Sequence, residues 1–253
     1  MPIAALDGPA AWRRVDLLSD VHLQASDPET FSAWRRYMEE ATADAVFLLG
    51  DIFEAWIGDD AAAESGSFES ECAAVLRRTA ARRPVFFQHG NRDFLVGEDF
   101  LGGLGAALLE DPCVLRFGGK AWLLSHGDAL CTDDAPYMAF RARTRAPAWQ
   151  AEFLAQPLAA RRDVARTMRA QSESRRQAEG GYGDIDPGAA QRWLRSAQAR
   201  VMVHGHTHRP AEHALADGME RIVLSDWDLR ARPPRAEVLE IDRSGAHRRR
   251  AVA

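Results

Sequence analysis

The chain has 253 residues, 46% of them hydrophobic and 27% charged, with a net charge of −5. This composition excludes a disordered chain, a collagen-like fibre and a disulfide scaffold, and no apolar run reaches the ~18 residues of a membrane-spanning helix. The acidic balance argues against general nucleic-acid binding, and the opening segment MPIAALDGPAAWRR lacks the apolar core of a secretory signal.

Taken in chain order, five short apolar runs each empty into chemically loaded residues. Residues 15–18 lead into Asp20 and His22, residues 45–49 into Gly50 and Asp51, and residues 85–87 into Gly90, Asn91, Arg92 and Asp93. Residues 121–124 lead into His126 and Asp128, and residues 201–203 into His206 and His208. Runs of this kind read as buried strands. Helical periodicity lies between the first of them, at about 29–43 and 68–82, which predicts an α/β architecture with a largely parallel or mixed sheet. Ligands of open α/β sheets sit beyond the carboxyl ends of the strands, where all the loaded loops fall.

From residue 133 to about 199 the chain becomes rich in Arg, Ala and Gln, with no strand signal. Several helices are expected there, starting or breaking at Pro136, Pro147, Pro157 and Pro187. We read this as a helical insertion, long enough to cover a site, within one domain spanning 1–253. Residues 135–177 carry a local charge of +6 in an otherwise acidic chain. That block suits an anionic ligand or an anionic lipid surface, or else is a solvated helix face. Strand-like runs return at 222–224 and 238–241, and the basic stretch 247–250 reads as a frayed tail. The three cysteines, Cys72, Cys113 and Cys131, are odd in number and far apart, which fits a reducing compartment and buried thiols.

The loop residues that can ligate a metal are Asp20, His22, Asp51, Asn91, His126, His206 and His208. All offer oxygen or imidazole nitrogen and none a thiolate, a set that favours a catalytic ion over a structural zinc site. Asp-x-His and His-x-His place two donors on one face of an extended segment. Seven donors exceed what one ion needs and suit two ions sharing a carboxylate, as in centres that clamp an in-line phosphoryl displacement. Asp51, on a tight Gly-Asp turn, is the expected bridge.

These blocks resemble the five signature blocks of the calcineurin-like metallophosphoesterases. The longer runs SDVHL, GDIFEAWIGDD, GNRDF, HGDALCTDD and HGHTHRP resemble the UDP-2,3-diacylglucosamine hydrolase branch, of the lipid A pathway. The resemblance implies a four-layer αββα core with the helical insertion as a lid. It implies an enzyme dependent on two Mn2+ ions that cleaves a UDP-linked diacylglucosamine at its diphosphate. Asp20, His22, Asp51 and His208 would hold one ion, and Asp51, Asn91, His126 and His206 the other. Asn91, Arg92, Asp134, Tyr137, Ser172, Arg176 and His206 would meet the substrate. Glu179 stands where the branch has a lysine, so Arg175 or Arg176 is the candidate replacement. The implied partner is an anionic membrane surface on the cytoplasmic face of the inner membrane, with no nucleic acid, and a monomer is expected.

Arg92 bears on the chemistry independently of the resemblance. An arginine does not lose its proton in a protein, so it cannot act as a general acid. It can stabilise charge on a phosphate. Such a site favours a leaving group that departs without a proton, as a phosphate monoester does from a diphosphate. The competing readings are ion pairing of Arg92 with Asp93 or a surface acid, a different phosphodiesterase or nucleotide pyrophosphatase on the same core, and a metal-free scaffold. The rings of Tyr137, Phe140 and Trp149 in the insertion either pack helix on helix or line a groove for acyl chains.

Overall fold

The structure, a computed structural model, describes residues 3–179 and 183–252, and of residues 171–179 the backbone alone. Two mixed six-stranded sheets face each other. The first runs in the order β1 (Ala4–Asp7), β6 (Cys113–Phe117), β7 (Lys120–Ser125), β8 (Val201–His204), β10 (Glu220–Val223) and β9 (Ala211–Ala214). The second runs β12 (His247–Ala251), β11 (Glu237–Asp242), β2 (Arg14–Leu18), β3 (Ala45–Leu49), β4 (Val85–Gln88) and β5 (Ala107–Leu108). All five expected site strands are present. β2, β3 and β4 are mutually parallel in one sheet, and β7 and β8 are parallel in the other.

Strand alternation builds the layers. Val15 and Leu17 of β2, Phe47 and Leu49 of β3, Trp122 and Leu124 of β7 and Val203 of β8 fill the space between the sheets. Phe47 stacks on Phe86 at 4.7 Å, and Trp12 meets both edge-on. The alternate residues Leu18, Val46, Leu48 and Phe87 face outward against helices α1 (Pro28–Glu40), α2 (Phe68–Ala80) and α3 (Glu98–Leu104). On the far side, Val114, Leu123 and Met202 pack against Ala190 and Leu194 of α7 (Pro187–Ser196). The result is the αββα order.

The helical segment comprises α4 (Ala135–Thr144), α5 (Pro147–Leu154), α6 (Leu158–Glu179) and α7. Pro136, Pro147 and Pro187 lie in first turns, where the missing N–H costs no hydrogen bond. Asp134 and Asp186 cap α4 and α7 by accepting from Tyr137 N and Ala189 N. None of the described helices is long and apolar enough to cross a membrane. The three cysteines are buried and unlinked.

Arg141, Arg161, Arg162 and Arg169 of the basic block pair with acids elsewhere in the chain. Arg141 pairs with Asp128, Arg162 with Glu64 and Arg169 with Glu54, at 2.8, 2.6 and 2.8 Å. Arg161 pairs with Asp60 and donates to the Ile57 carbonyl at 2.6 Å. These arginines fasten the helices to the core, so the +6 read from the sequence overstates the charge facing solvent.

The stretch 247–250 is not a frayed tail. It forms β12, antiparallel to β11. Its charges are held from across the sheet: Arg248 pairs with Glu240 at 2.7 Å and Arg250 with Asp16 at 2.8 Å. Asp16 is fully buried and also accepts from the Tyr37 hydroxyl at 2.9 Å. Burial raises its pKa despite those partners. Arg250→Ala removes one of two donors to a buried carboxylate and should cost about 1–3 kcal/mol in urea unfolding. Adding Asp16→Asn should recover part of that loss, and an Arg250→Ala chain as stable as the parent would show the contact to be idle.

Candidate metal centre and ligand cavity

The five site strands point their carboxyl ends to one edge of the double sheet, and backbone bonds splice the emerging loops together. Asp20 N donates to the Gly50 carbonyl at 3.1 Å, His22 N to Asp51 at 3.0 Å and Gly205 N to His126 at 3.0 Å. Two glycines are required by the closeness of this splice. A Cβ on Gly90 would land on Asp51 Oδ1, and one on Gly205 would land on Asp20 Oδ2.

Five of the seven predicted donors fall into two groups that share Asp20, and Asn91 lies between His126 and His206. Asp20, His22 and His208 form one group, with ligand atoms all within 4.8 Å, and Asp20, Asp51 and His126 form a second. The His22 and His208 Nε2 atoms face each other at 3.2 Å, and His208 Nε2 is 3.3 Å from Asp20 Oδ1. Asn91 Oδ1 stands 3.1 Å from His126 Nε2 and 2.9 Å from His206 Nδ1. Asp20 is the carboxylate common to both groups. Asp51, the bridge expected from the sequence, lies 3.6 Å from His126 and also accepts from Arg92 N at 2.8 Å.

The backbone supports the reading of these residues as ligands. Asp20, His22, Asp51, His206 and His208 all have positive φ, between 53° and 68°, and only two other described non-glycine residues do. Each such conformation costs of order 1 kcal/mol and persists where surrounding structure imposes it, which is characteristic of functional sites. The remaining ring nitrogens are also occupied. His126 Nδ1 faces the Leu49 carbonyl at 3.0 Å and His22 Nδ1 faces Glu54 at 3.0 Å, leaving each Nε2 toward the centre. This oxygen and imidazole set fits divalent ions.

Electrostatics point the same way. Burial opposes a charge on His126, but the carboxylates of Asp51 and Asp20 outweigh it and raise its pKa to about 9. Burial lowers His206 to about 3, and the neighbouring His126 adds to the effect. Burial would raise Glu54, yet His22, Arg92 and Arg169 hold it at about 2.

A cavity of about 410 Å³ opens beside the centre. Asn91, Arg92, Asp134 and His206 are among its polar lining, and Trp56, Phe94, Tyr137, Phe140, Trp149, Phe153 and Met168 among its apolar lining. Arg92 is nearly buried and lies 3.5 Å from Glu54, not on Asp93. Asp93 is fully buried and spends its oxygens on Gly90 N and Ile52 N, at 2.7 and 2.8 Å. The Tyr137 ring faces the cavity while its hydroxyl donates to Asp128 at 2.6 Å. Ser172, Arg175, Arg176 and Glu179 lie outside the residues whose side chains are described.

Sequence reasoning gave Glu54, Asp93 and Asp128 no role in the site. Each falls inside a quoted motif, two or three residues after a candidate donor, and that proximity was the available signal.

Residues 13–210 match the family described as calcineurin-like phosphoesterase, the class that this double sheet and loop cluster define. A UDP-2,3-diacylglucosamine hydrolase of Chromohalobacter salexigens is 45% identical over 83% of this chain and 87% of its own length. Proteins of the same name from Stenotrophomonas maltophilia and Bordetella pertussis are each 44% identical, over 90% and 95% of this chain and 94% of their own lengths. The chain therefore belongs to the UDP-2,3-diacylglucosamine hydrolase family of the calcineurin-like phosphoesterases.

Gly90→Ala should push Asp51 off its position and lower divalent-metal affinity about 10–100-fold, with the fold retained. Calorimetric titration of metal into the stripped protein checks this, and an unchanged affinity would mean that Asp51 need not stay where it is.

Proposed function

We propose that this chain hydrolyses the diphosphate of UDP-2,3-diacylglucosamine, releasing UMP and 2,3-diacylglucosamine 1-phosphate for lipid A synthesis. The observation that carries the reading is one cavity lined by both kinds of side chain. Candidate metal donors and the nearly buried Arg92 share its wall with aromatic and thioether side chains. A nucleotide diphosphate with acyl chains combines the same two characters.

Asp20, His22, Asp51 and His208 would hold one Mn2+ ion, and Asp51, Asn91, His126 and His206 a second. Ions bound there would supply Lewis-acid polarisation of a phosphate and a water acidic enough to attack it. The protein's own contribution is positional. Asn91 and His206 lie at the cavity edge and orient the phosphate, so that water attacks the α-phosphorus. Arg92, permanently charged, meets the negative charge that builds up as the diphosphate breaks. No proton need be delivered, because the departing sugar phosphate is stable as an anion.

The helical insertion, residues 133–199 of a single domain, acts as a lid. Tyr137, Phe140, Trp149 and Met168 contact acyl chains, and Asp134, Ser172 and Arg176 contact the polar part. An enzyme with such a substrate works as a monomer on the cytoplasmic face of the inner membrane, drawn to anionic lipid by the insertion's remaining arginines.

Arg92→Ala should lower kcat about 10²–10³-fold, the usual loss for one charge-stabilising donor, with metal content retained. Asp51→Ala should lose both ions by elemental analysis, and a variant that keeps two refutes the bridge. Phosphorus NMR in ¹⁸O water should find the label in UMP; label in the sugar phosphate would place the attack on the other phosphorus. Phe140→Arg should raise KM for long-chain substrate while leaving a deacylated analogue unaffected, and equal effects on both would remove the acyl groove.

A further inference from the structure

Glu54 has no place in the reaction as derived so far, yet it touches three of its parts. It directly follows the Asp51 loop and is mostly buried. Its backbone N–H donates to the Leu23 carbonyl at 3.1 Å, which fixes where the side chain starts. One oxygen, Oε2, lies 3.0 Å from His22 Nδ1. The other, Oε1, lies 2.8 Å from Arg169 Nε and 3.5 Å from Arg92 Nη1. We infer that Glu54 is a positioning residue: it aims His22 at the metal, and it shares its second oxygen between Arg92 and the helix α6 residue Arg169.

The first half follows from imidazole chemistry. The contact of Nδ1 with the Glu54 carboxylate at 3.0 Å is electrostatic and not an aligned hydrogen bond, and it favours the ring orientation in which the His22 Nε2 faces Asp20 and His208. Without Glu54, nothing on that side selects the ring angle.

The second half follows from the unequal distances. Of the two contacts on Oε1, that of Arg169 is the shorter. If Arg92 turns to a phosphate, Glu54 keeps Arg169, so no buried carboxylate is stranded without a counter-charge. With Arg169 removed, Glu54 competes with the substrate for Arg92. Seating of α6 on the core thus releases Arg92 for the reaction. This half rests on the proposed role of Arg92, while the His22 half does not.

The test uses the full chain with four variants: Glu54→Ala, Glu54→Gln, Arg169→Ala and the double variant Glu54→Gln/Arg169→Ala, each checked by thermal melting. Manganese titration should show affinity about 10–100-fold weaker in Glu54→Ala, less so in Glu54→Gln, and unchanged in Arg169→Ala. A folded Glu54→Ala or Glu54→Gln chain with parental affinity in both overturns the His22 half. Arg169→Ala should lower kcat about tenfold with little change in KM. In the double variant, kcat should return to that of Glu54→Gln alone, because the competitor is gone. Additive losses, or a parental kcat in Arg169→Ala, overturn the Arg92 half. If the parent does not cleave UDP-2,3-diacylglucosamine, the substrate reading fails. The manganese titration still decides the His22 half, and the kinetic cycle is then read with bis(4-nitrophenyl) phosphate.

Discussion

Four carboxylates, Asp20, Asp51, Asp93 and Asp128, lie almost wholly out of water within one cluster of loops, and the fold has to compensate each of them. Asp93 is satisfied by backbone N–H groups, and Asp128 by Tyr137 and Arg141. Asp20 receives Ser19 and the His206 N–H, and Asp51 receives the Arg92 N–H. What remains is negative charge on Asp20 and Asp51 facing a ring of imidazoles. That charge raises the pKa of His126, and divalent ions would answer it more completely. The left-handed backbone at five donors is the geometric cost of crowding these groups together.

The second division of labour is between the sheets and the helical segment. The sheets supply donors from strand ends, while α4 to α6 supply the apolar walls of the cavity and arginines that grip core acids. Asp128 joins the two, since it anchors α4 from a loop that also carries His126. Arg141, Arg161 and Arg169, part of the block read from the sequence as suiting an anionic ligand, an anionic lipid surface or a solvated helix face, are fasteners.

The five strand ends that carry the seven candidate donors were legible because each follows a short apolar run, a purely local pattern. The helix starts at Pro136, Pro147 and Pro187 were legible for the same reason. Strands β1, β5, β9 and β12 were not, since they lie at or near sheet edges, with weak apolar patterns and meaning only beside their partners. Arg250 reads as an exposed tail residue until β11 carries it next to Asp16. Glu54 was hidden because His22, Arg92 and Arg169 surround it only after folding, and Arg161 meets Asp60 from 101 residues away. Long-range pairing of charges leaves no periodic trace in a single sequence.

The position of β2 has a bearing on synthesis. The strand that delivers Asp20 and His22 is flanked by β3 on one side and by β11 on the other, and β11 comes from Glu237–Asp242. A nascent chain emerging from the ribosome can pair β2 with β3 early but must leave its other edge open until Glu237–Asp242 has been translated. The loop that carries Asp20 and His22 is thus made well before it can be locked, and in the interval that bare edge is a point where chaperones or neighbouring chains can engage it.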